Sequence, residues 1–329
     1  MGRKRLSMGG NAILYQGRIF IKDGLDNDMT AKKRILAFEI GTFFTRYVVF
    51  EDGRMGIPGT IATPVDGEEP FYQALAHIVS KQRAPLDGIA ISVPGFIDTE
   101  KQVAVTAGAL SILYGHEIGR KLQGYLDDPI PTWMENDANC AAMAEKLSGN
   151  AVKLDDFALI TIDSGVGGAL FLDGRIRRGK DWRAGELGMM IPNYETGGFH
   201  TMQDYLSTIV LAEEYAKEFD VPTGSIVPAS LFRRLDEPRV RKIVDKWIDY
   251  LAIAVFTSRP SPIRNAYCSA AASAGSSRFC RWSTRRSTGF RSGAISAHPS
   301  NVAATRTTRA LSAHTTPSKR KSAALLTCR

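Results

Sequence analysis

The chain has 329 residues, 44% apolar and 23% charged, enough to bury one large core or two ordinary ones, which excludes a wholly disordered, collagen-like or disulfide-scaffold protein. No apolar run reaches the ~18 residues that a membrane-spanning helix needs, and the basic start Met1–Gly10 has no apolar stretch behind it, so a cytoplasmic protein with no membrane partner is expected. The net charge of +8 is unevenly spread: residues 257–329 hold 11 Arg, 2 Lys and no acid, while the chain before them holds 29 basic and 34 acidic residues.

The body is therefore mildly acidic and the tail strongly basic. Three of the four cysteines (Cys268, Cys280, Cys328) lie in that tail, leaving only Cys140 in the body, so disulfides do not hold the fold. Residues 1–33 carry weak patterning. Ile13–Tyr15 and Arg18–Ile21 read as short strands and Gly24–Asp28 as a turn. Met29 is a natural alternative start, so this stretch is expected to be a leader that need not be native.

From residue 34 the pattern sharpens. Arg34–Ile40 reads as a strand ending in Gly41-Thr42, and Arg46–Phe50 as a second, with a turn at Glu51-Asp52-Gly53. Pro70–Lys81 has helical spacing, with Phe71, Leu75 and Ile78 on one face. Gly88–Val93 is a buried strand running into Pro94-Gly95, and Thr132–Glu135 is strand-like before a helix over Asn136–Leu147. Phe157–Ile162 and Ala169–Leu172 are strands around a glycine-rich turn, and Met202–Phe219 and Glu237–Phe256 are helices. Strands followed by helices, twice over, predict an α/β protein of two similar halves with a cleft between them. Residues 257–329 show no periodicity lasting two turns and are dominated by Ser, Ala, Thr and Arg, so they are expected to be disordered. Their cations would bind phosphates, but lysine-rich runs and ordered aromatic spacing are missing, so no nucleic-acid partner is expected.

Three groups of residues carry chemistry. Asn136 and Asp137 open a helix directly after a strand, which puts a carboxylate and an amide side by side; taken alone they serve equally well as a helix cap. Asp163-Ser164-Gly165-Val166-Gly167-Gly168 lies between two strands, where glycines let backbone N–H groups approach a phosphate; taken alone, an ordinary glycine hairpin fits it equally well. Glu186, between Gly185 and Leu187-Gly188, suits a grip on vicinal hydroxyls, or is a solvated loop acid.

Together these segments resemble the ROK family of bacterial sugar kinases and sugar-responsive repressors. Five pieces match in order: Ala37–Thr42, Ile91–Asp98, Glu135–Ala142, Thr161–Gly168, and Arg178-Gly179 with Ala184–Gly188. The resemblance spans residues 34–256 and implies a two-domain actin/hexokinase-like (ribonuclease H-like) fold, with an N-terminal domain over 34–145 and an incomplete C-terminal one over 146–256. It implies phosphorylation of a hexose or β-glucoside hydroxyl, at O6 by the family's chemistry, with ATP and Mg²⁺. By resemblance Asp137 is the general base, and Pro94, Gly95, Asn136, Glu186 and Gln203 (which stands for a later family Glu) bind the sugar. Glu39, Gly41 and Thr42 form the first phosphate turn, with Glu39 toward Mg²⁺; Asp163, Ser164, Gly165 and Gly167 form the second. A homodimer is usual in the family.

The chain also departs from that family. Glu39 replaces an Asp, Thr42-Phe43 replaces Gly-Thr, and Asp163 replaces a Gly. Met189 stands where zinc-bearing members have His, and 190–201 contains no cysteine, so no zinc is expected. That loss resembles the zinc-free branch containing β-glucoside kinases, where a substrate blocked at C1 loses little. The closing Gly-Gly-Gly-Ile-Ser turn is missing, yet codons for Ile263–Ala274 read one frame over can yield Pro-Glu-Cys-Val-Leu-Leu-Gly-Gly-Gly-Ile-Ser. A frame shift near Val255–Ser258 is therefore expected, making 257–329 an out-of-frame tail. Two other readings remain: a sugar-binding pseudokinase or sensor with degraded phosphate turns, and a repressor, for which about 33 preceding residues are too few to form a winged-helix domain.

Overall fold

The computed structural model describes residues 33–193 and 198–258, and outside those ranges the backbone of five short strands. It divides into two compact units: residues 1–154 with 176–184, and residues 155–175 with 185–329.

The first unit begins with the hairpin β1 (Asn11–Tyr15) and β2 (Arg18–Lys22); the turn expected at Gly24–Asp28 lies outside the described residues. Its main sheet is built from β3 (Arg34–Ile40), β4 (Phe44–Glu51), β5 (Arg54–Met55) and β6 (Gly59–Ala62), then α1 (Glu68–Ser80) and β7 (Gly88–Val93). The short pair β8 (Ile97–Asp98) and β9 (Val103–Ala104), α2 (Ile118–Gln123), β10 (Thr132–Asn136) and α3 (Asp137–Ser148) complete it. The strand order is β10-β7-β3-β4-β5, with β6 also on β4, and β3, β7 and β10 run parallel. β7 is buried at every position, which is why it reads as an unbroken apolar run rather than an alternation. α1 lays Phe71, Leu75 and Ile78 on a core with Phe38, Ile91 and Met134, and its first-turn Glu68 and Glu69 suit the positive end of the helix.

The second unit holds β11 (Phe157–Ile162), β12 (Val166–Leu172) and the first residue of β13 (Arg175–Arg177), then α4 (Gln203–Leu206), α5 (Thr208–Phe219), α6 (Pro228–Leu231) and α7 (Pro238–Thr257). β14 (Ala266–Ala270), β15 (Ala294–Ala297) and β16 (Thr327–Cys328) follow, giving the order β13-β12-β11-β14-β15-β16. The long helix α7 buries Val244, Trp247 and Leu251 against Ile160, Leu206 and Phe232.

One expectation needs correction. The single helix expected over Met202–Phe219 is two, because Ser207 takes an extended backbone and its hydroxyl accepts from Val210 N, starting α5 afresh. Of the tail after residue 258 the structure describes only β14, β15 and β16, which add in parallel from the edge of β11 outward; an edge strand offers unpaired backbone groups to any following segment. The rest of that tail lies outside the described residues.

Candidate active site

In the first unit the parallel strands end together. Glu39 of β3, Ser92 of β7 and Glu135 of β10 stand in register, a polar row closing an apolar sheet. Open α/β sheets bind ligands at such strand ends.

Asn136 is the cap of α3. Its Oδ1 accepts from Asn139 N at 2.9 Å, and its Nδ2 donates to Gly95 O at 2.9 Å and to Asp137 Oδ1 at 3.0 Å. Asp137 Oδ1 also accepts from Ala138 N at 2.8 Å. Both residues are half-buried. Thus Gly95, Asn136 and Asp137 are brought together. Gly95 has φ 95°, and a Cβ there would lie 2.5 Å from Thr106 O, so only glycine fits. Pro94 packs beside it against Gly108.

The cap is supported by Glu135 and Arg178, two residues of the matching pieces to which the sequence assigned no role. Glu135, with its side chain 1% exposed, accepts from Asn136 N at 3.0 Å and Asn139 Nδ2 at 2.9 Å through Oε1, and from Arg178 Nε at 2.9 Å through Oε2. A buried carboxylate demands such partners, and a lone Glu ending the strand Thr-Trp-Met-Glu was the available signal. Arg183 stacks over the ring of Phe96 at 4.6 Å.

At the first phosphate turn Gly41 N donates to Phe44 O at 3.0 Å and Gly41 O accepts from Thr63 Oγ1 at 2.7 Å, which closes the turn around a half-buried Thr42. Glu39 Oε1 accepts from Arg46 Nη1 at 3.2 Å, a partner not anticipated. Phe43 is 65% exposed, so its ring stands out from the turn.

In the second unit Asp163 N donates to Gly165 O at 2.8 Å, shaping a tight turn between β11 and β12, while Asp163 O accepts from Thr208 N and Thr208 Oγ1, each at 2.8 Å. Asp163 is exposed; Ser164 and Gly165 are half-buried. Gly167 stands inside β12 opposite Thr161, not in the turn. Gln203, expected to bind the sugar, lies beside this turn: a Cβ on Gly165 would be 3.1 Å from Gln203 Oε1. Glu186 is half-buried and precedes a 3₁₀ turn over Leu187–Met189. Gly185 before it has φ 90°, and a Cβ there would lie 2.8 Å from Ala169 Cα. Met189 is 60% exposed. His200 is exposed, edge-on to Tyr205. Among the described residues no helix is long and apolar enough to cross a membrane.

The pattern described as the ROK family matches residues 36–257. A β-glucoside kinase of Listeria monocytogenes is 31% identical over 209 residues, 62% of this chain and 69% of its own length. One from Klebsiella pneumoniae is 28% identical over 230 residues, 68% of this chain and 76% of its own. Among solved structures, a glucokinase from Streptomyces griseus, in complex with glucose and AMPPNP, superposes with a TM-score of 0.62 at 20% identity, covering 77% of this chain and 89% of its own. That likeness shows the fold.

Proposed function

The chain belongs to the ROK family, and on that premise we propose that it is an ATP-dependent sugar kinase acting on a hexose or β-glucoside, at O6. The observation that carries this reading is the Asn136–Asp137 pair, held half-buried at the start of α3 and tied to Gly95 O. The sugar hydroxyl attacks the γ-phosphorus of ATP and the bond from that phosphorus to the β,γ-bridging oxygen breaks. ADP leaves, and the hydroxyl proton passes to an Asp137 carboxylate oxygen. Asn136 and Glu186 hold sugar hydroxyls, and the backbone around Gly41, Thr42, Ser164 and Gly165 faces phosphates. Mg²⁺ enters with ATP as substrate. A single carboxylate with phosphate oxygens is a normal set for it, and Glu39 is the group that fits, on exchanging its contact with Arg46. Zinc has no part in this reading.

An exposed Met189 offers no hydrogen bond to the anomeric oxygen, so a substrate substituted at C1 loses nothing there. ADP release with glucose, cellobiose and an aryl β-glucoside tests both points. Wild-type turnover that vanishes in Asp137→Asn is expected; no turnover with any sugar overturns the kinase reading. Glucose used far better than both β-glucosides overturns the C1 argument.

A second reading, a sugar sensor without turnover, is favoured by Glu39 lying on Arg46 and by Phe43 beside the phosphate turn. Sugar binding without ADP release would select it. We propose also that residues 257–329 are read out of frame. The family match stops at residue 257, no acidic residue follows Asp249, and β14 occupies the stretch whose shifted frame encodes an apolar strand before three glycines. Sequencing the coding DNA across Val255–Arg264 decides this. The reading is wrong if no base is missing or extra, and if correct the assays apply to the restored protein.

A further inference from the structure

Residues Ile176–Ala184 group with the first unit although the chain on both sides groups with the second. The segment closes on itself through Ala184 N, which donates to Arg178 O at 3.1 Å. It touches the rest of the first unit near both of its ends. Near one end Arg178 holds Glu135 Oε2; near the other Arg183 lies on Phe96, whose N–H is accepted by Thr106 Oγ1 at 2.9 Å. Glu135 precedes Asn136, and Phe96 follows Gly95. The two arginines therefore secure the chain on either side of one hydrogen bond, from Asn136 Nδ2 to Gly95 O. The ion pair is costly as a stability device. Burying a carboxylate to 1% exposure gains nothing over an apolar pair of similar volume. What an apolar residue could not do is accept from both Asn136 N and Asn139 Nδ2, and Asn139 N in turn fixes Asn136 Oδ1.

We propose that Ile176–Ala184 is a bracket for the sugar site and that Arg178 is a positioning residue, acting through Glu135 to hold the Asn136–Asp137 pair in its working geometry. Arg183 does the same, more weakly, for the Gly95 side. This rests on the reading of Asp137 as the base. The test is sugar-dependent ADP release by the full chain and by Asp137→Asn, Arg178→Ala, Arg178→Lys and Glu135→Gln/Arg178→Gln, with a thermal melt of each. The double variant keeps an amide oxygen for Asn136 N and Asn139 Nδ2 and buries no charge. Arg178→Ala is expected to lose kcat on the order of 10- to 100-fold, with KM for ATP within about twofold, and Arg178→Lys to lose less. The double variant is expected to regain at least about tenfold of the kcat lost and serves by itself if Arg178→Ala does not fold. A folded Arg178→Ala with wild-type kcat overturns the proposal, as does a folded double variant with less than a hundredth of wild-type kcat. If the wild type turns over sugar and Asp137→Asn does not, such a result sinks the bracket alone; if Asp137→Asn retains full turnover, the reading beneath it fails and the bracket with it.

Discussion

Asn136 caps α3 through Oδ1 and reaches Gly95 O and Asp137 through Nδ2, so a substitution that keeps only the capping oxygen separates the cap from the services of the amide nitrogen. Replacing it by Ala removes the cap on Asn139 N, worth about 1 kcal/mol, and the donor to Gly95 O, worth about another 1 kcal/mol. The sum of about 2 kcal/mol lowers Tm by roughly 4–8 °C, at roughly 2–4 °C per kcal/mol for a protein of this size. Asn136→Ser keeps a capping oxygen, so only the Gly95 contact is lost, and Tm falls by roughly half as much. Neither variant can exchange the Nδ2 contact with Asp137 for one to a sugar hydroxyl, a contact of about 1.5 kcal/mol, so kcat/KM for the sugar falls roughly tenfold in both. Thermal melts and sugar-dependent ADP release on the same preparations read both quantities. A Ser variant that melts as low as the Ala variant refutes the capping half. A Ser variant with wild-type kcat/KM refutes the sugar half.

Glu186→Gln is expected to raise KM for the sugar with KM for ATP unchanged, and equal rises in both would remove Glu186 from the sugar. A Cβ on Gly188 would lie 1.9 Å from Val166 O, so Gly188→Ala should lose about 1–3 kcal/mol by overpacking, seen as a lower urea midpoint; an unchanged midpoint counts against the packing. Burial pushes the His116 pKa down, with Lys121 pushing the same way and Glu68 opposing. The unfolded chain then takes up that proton first, at about pH 6.5, so Tm should fall as pH drops through that value. His116→Gln should flatten this part of the slope; an unaltered slope between pH 7.5 and 5.5, on the order of the pKa range concerned, would show that other groups cause it.

Long elements were legible because their patterns are strong. Arg34–Ile40, Gly88–Val93 and Phe157–Ile162 coincide with the observed strands, each being a run of apolar and β-branched residues. The elements that escaped are short: α2, α6, β5 and β8 are too brief to show a period. The break at Ser207 was masked because apolar spacing continues from Leu206 into Val210 and Leu211 across it. At the site, Gly95, Asn136 and Asp137 were legible as motif residues. The Arg178–Glu135 pair was not, since 43 residues separate its members and no periodicity links them. The same holds for Arg46 on Glu39 and for Gln203 at Gly165: contacts set by tertiary packing leave no trace in local spacing.

The return of Ile176–Ala184 also bears on how this chain can be cut and recombined. A fragment ending at Leu154 would contain every strand of the first sheet yet lack the guanidinium that neutralises Glu135, and stranding that carboxylate costs on the order of 3–5 kcal/mol. The first unit is therefore a two-piece object in sequence. A chimera that exchanges N-terminal halves between relatives must carry this nine-residue insert along with them, and the same peptide supplied separately is the natural complement for a truncated half.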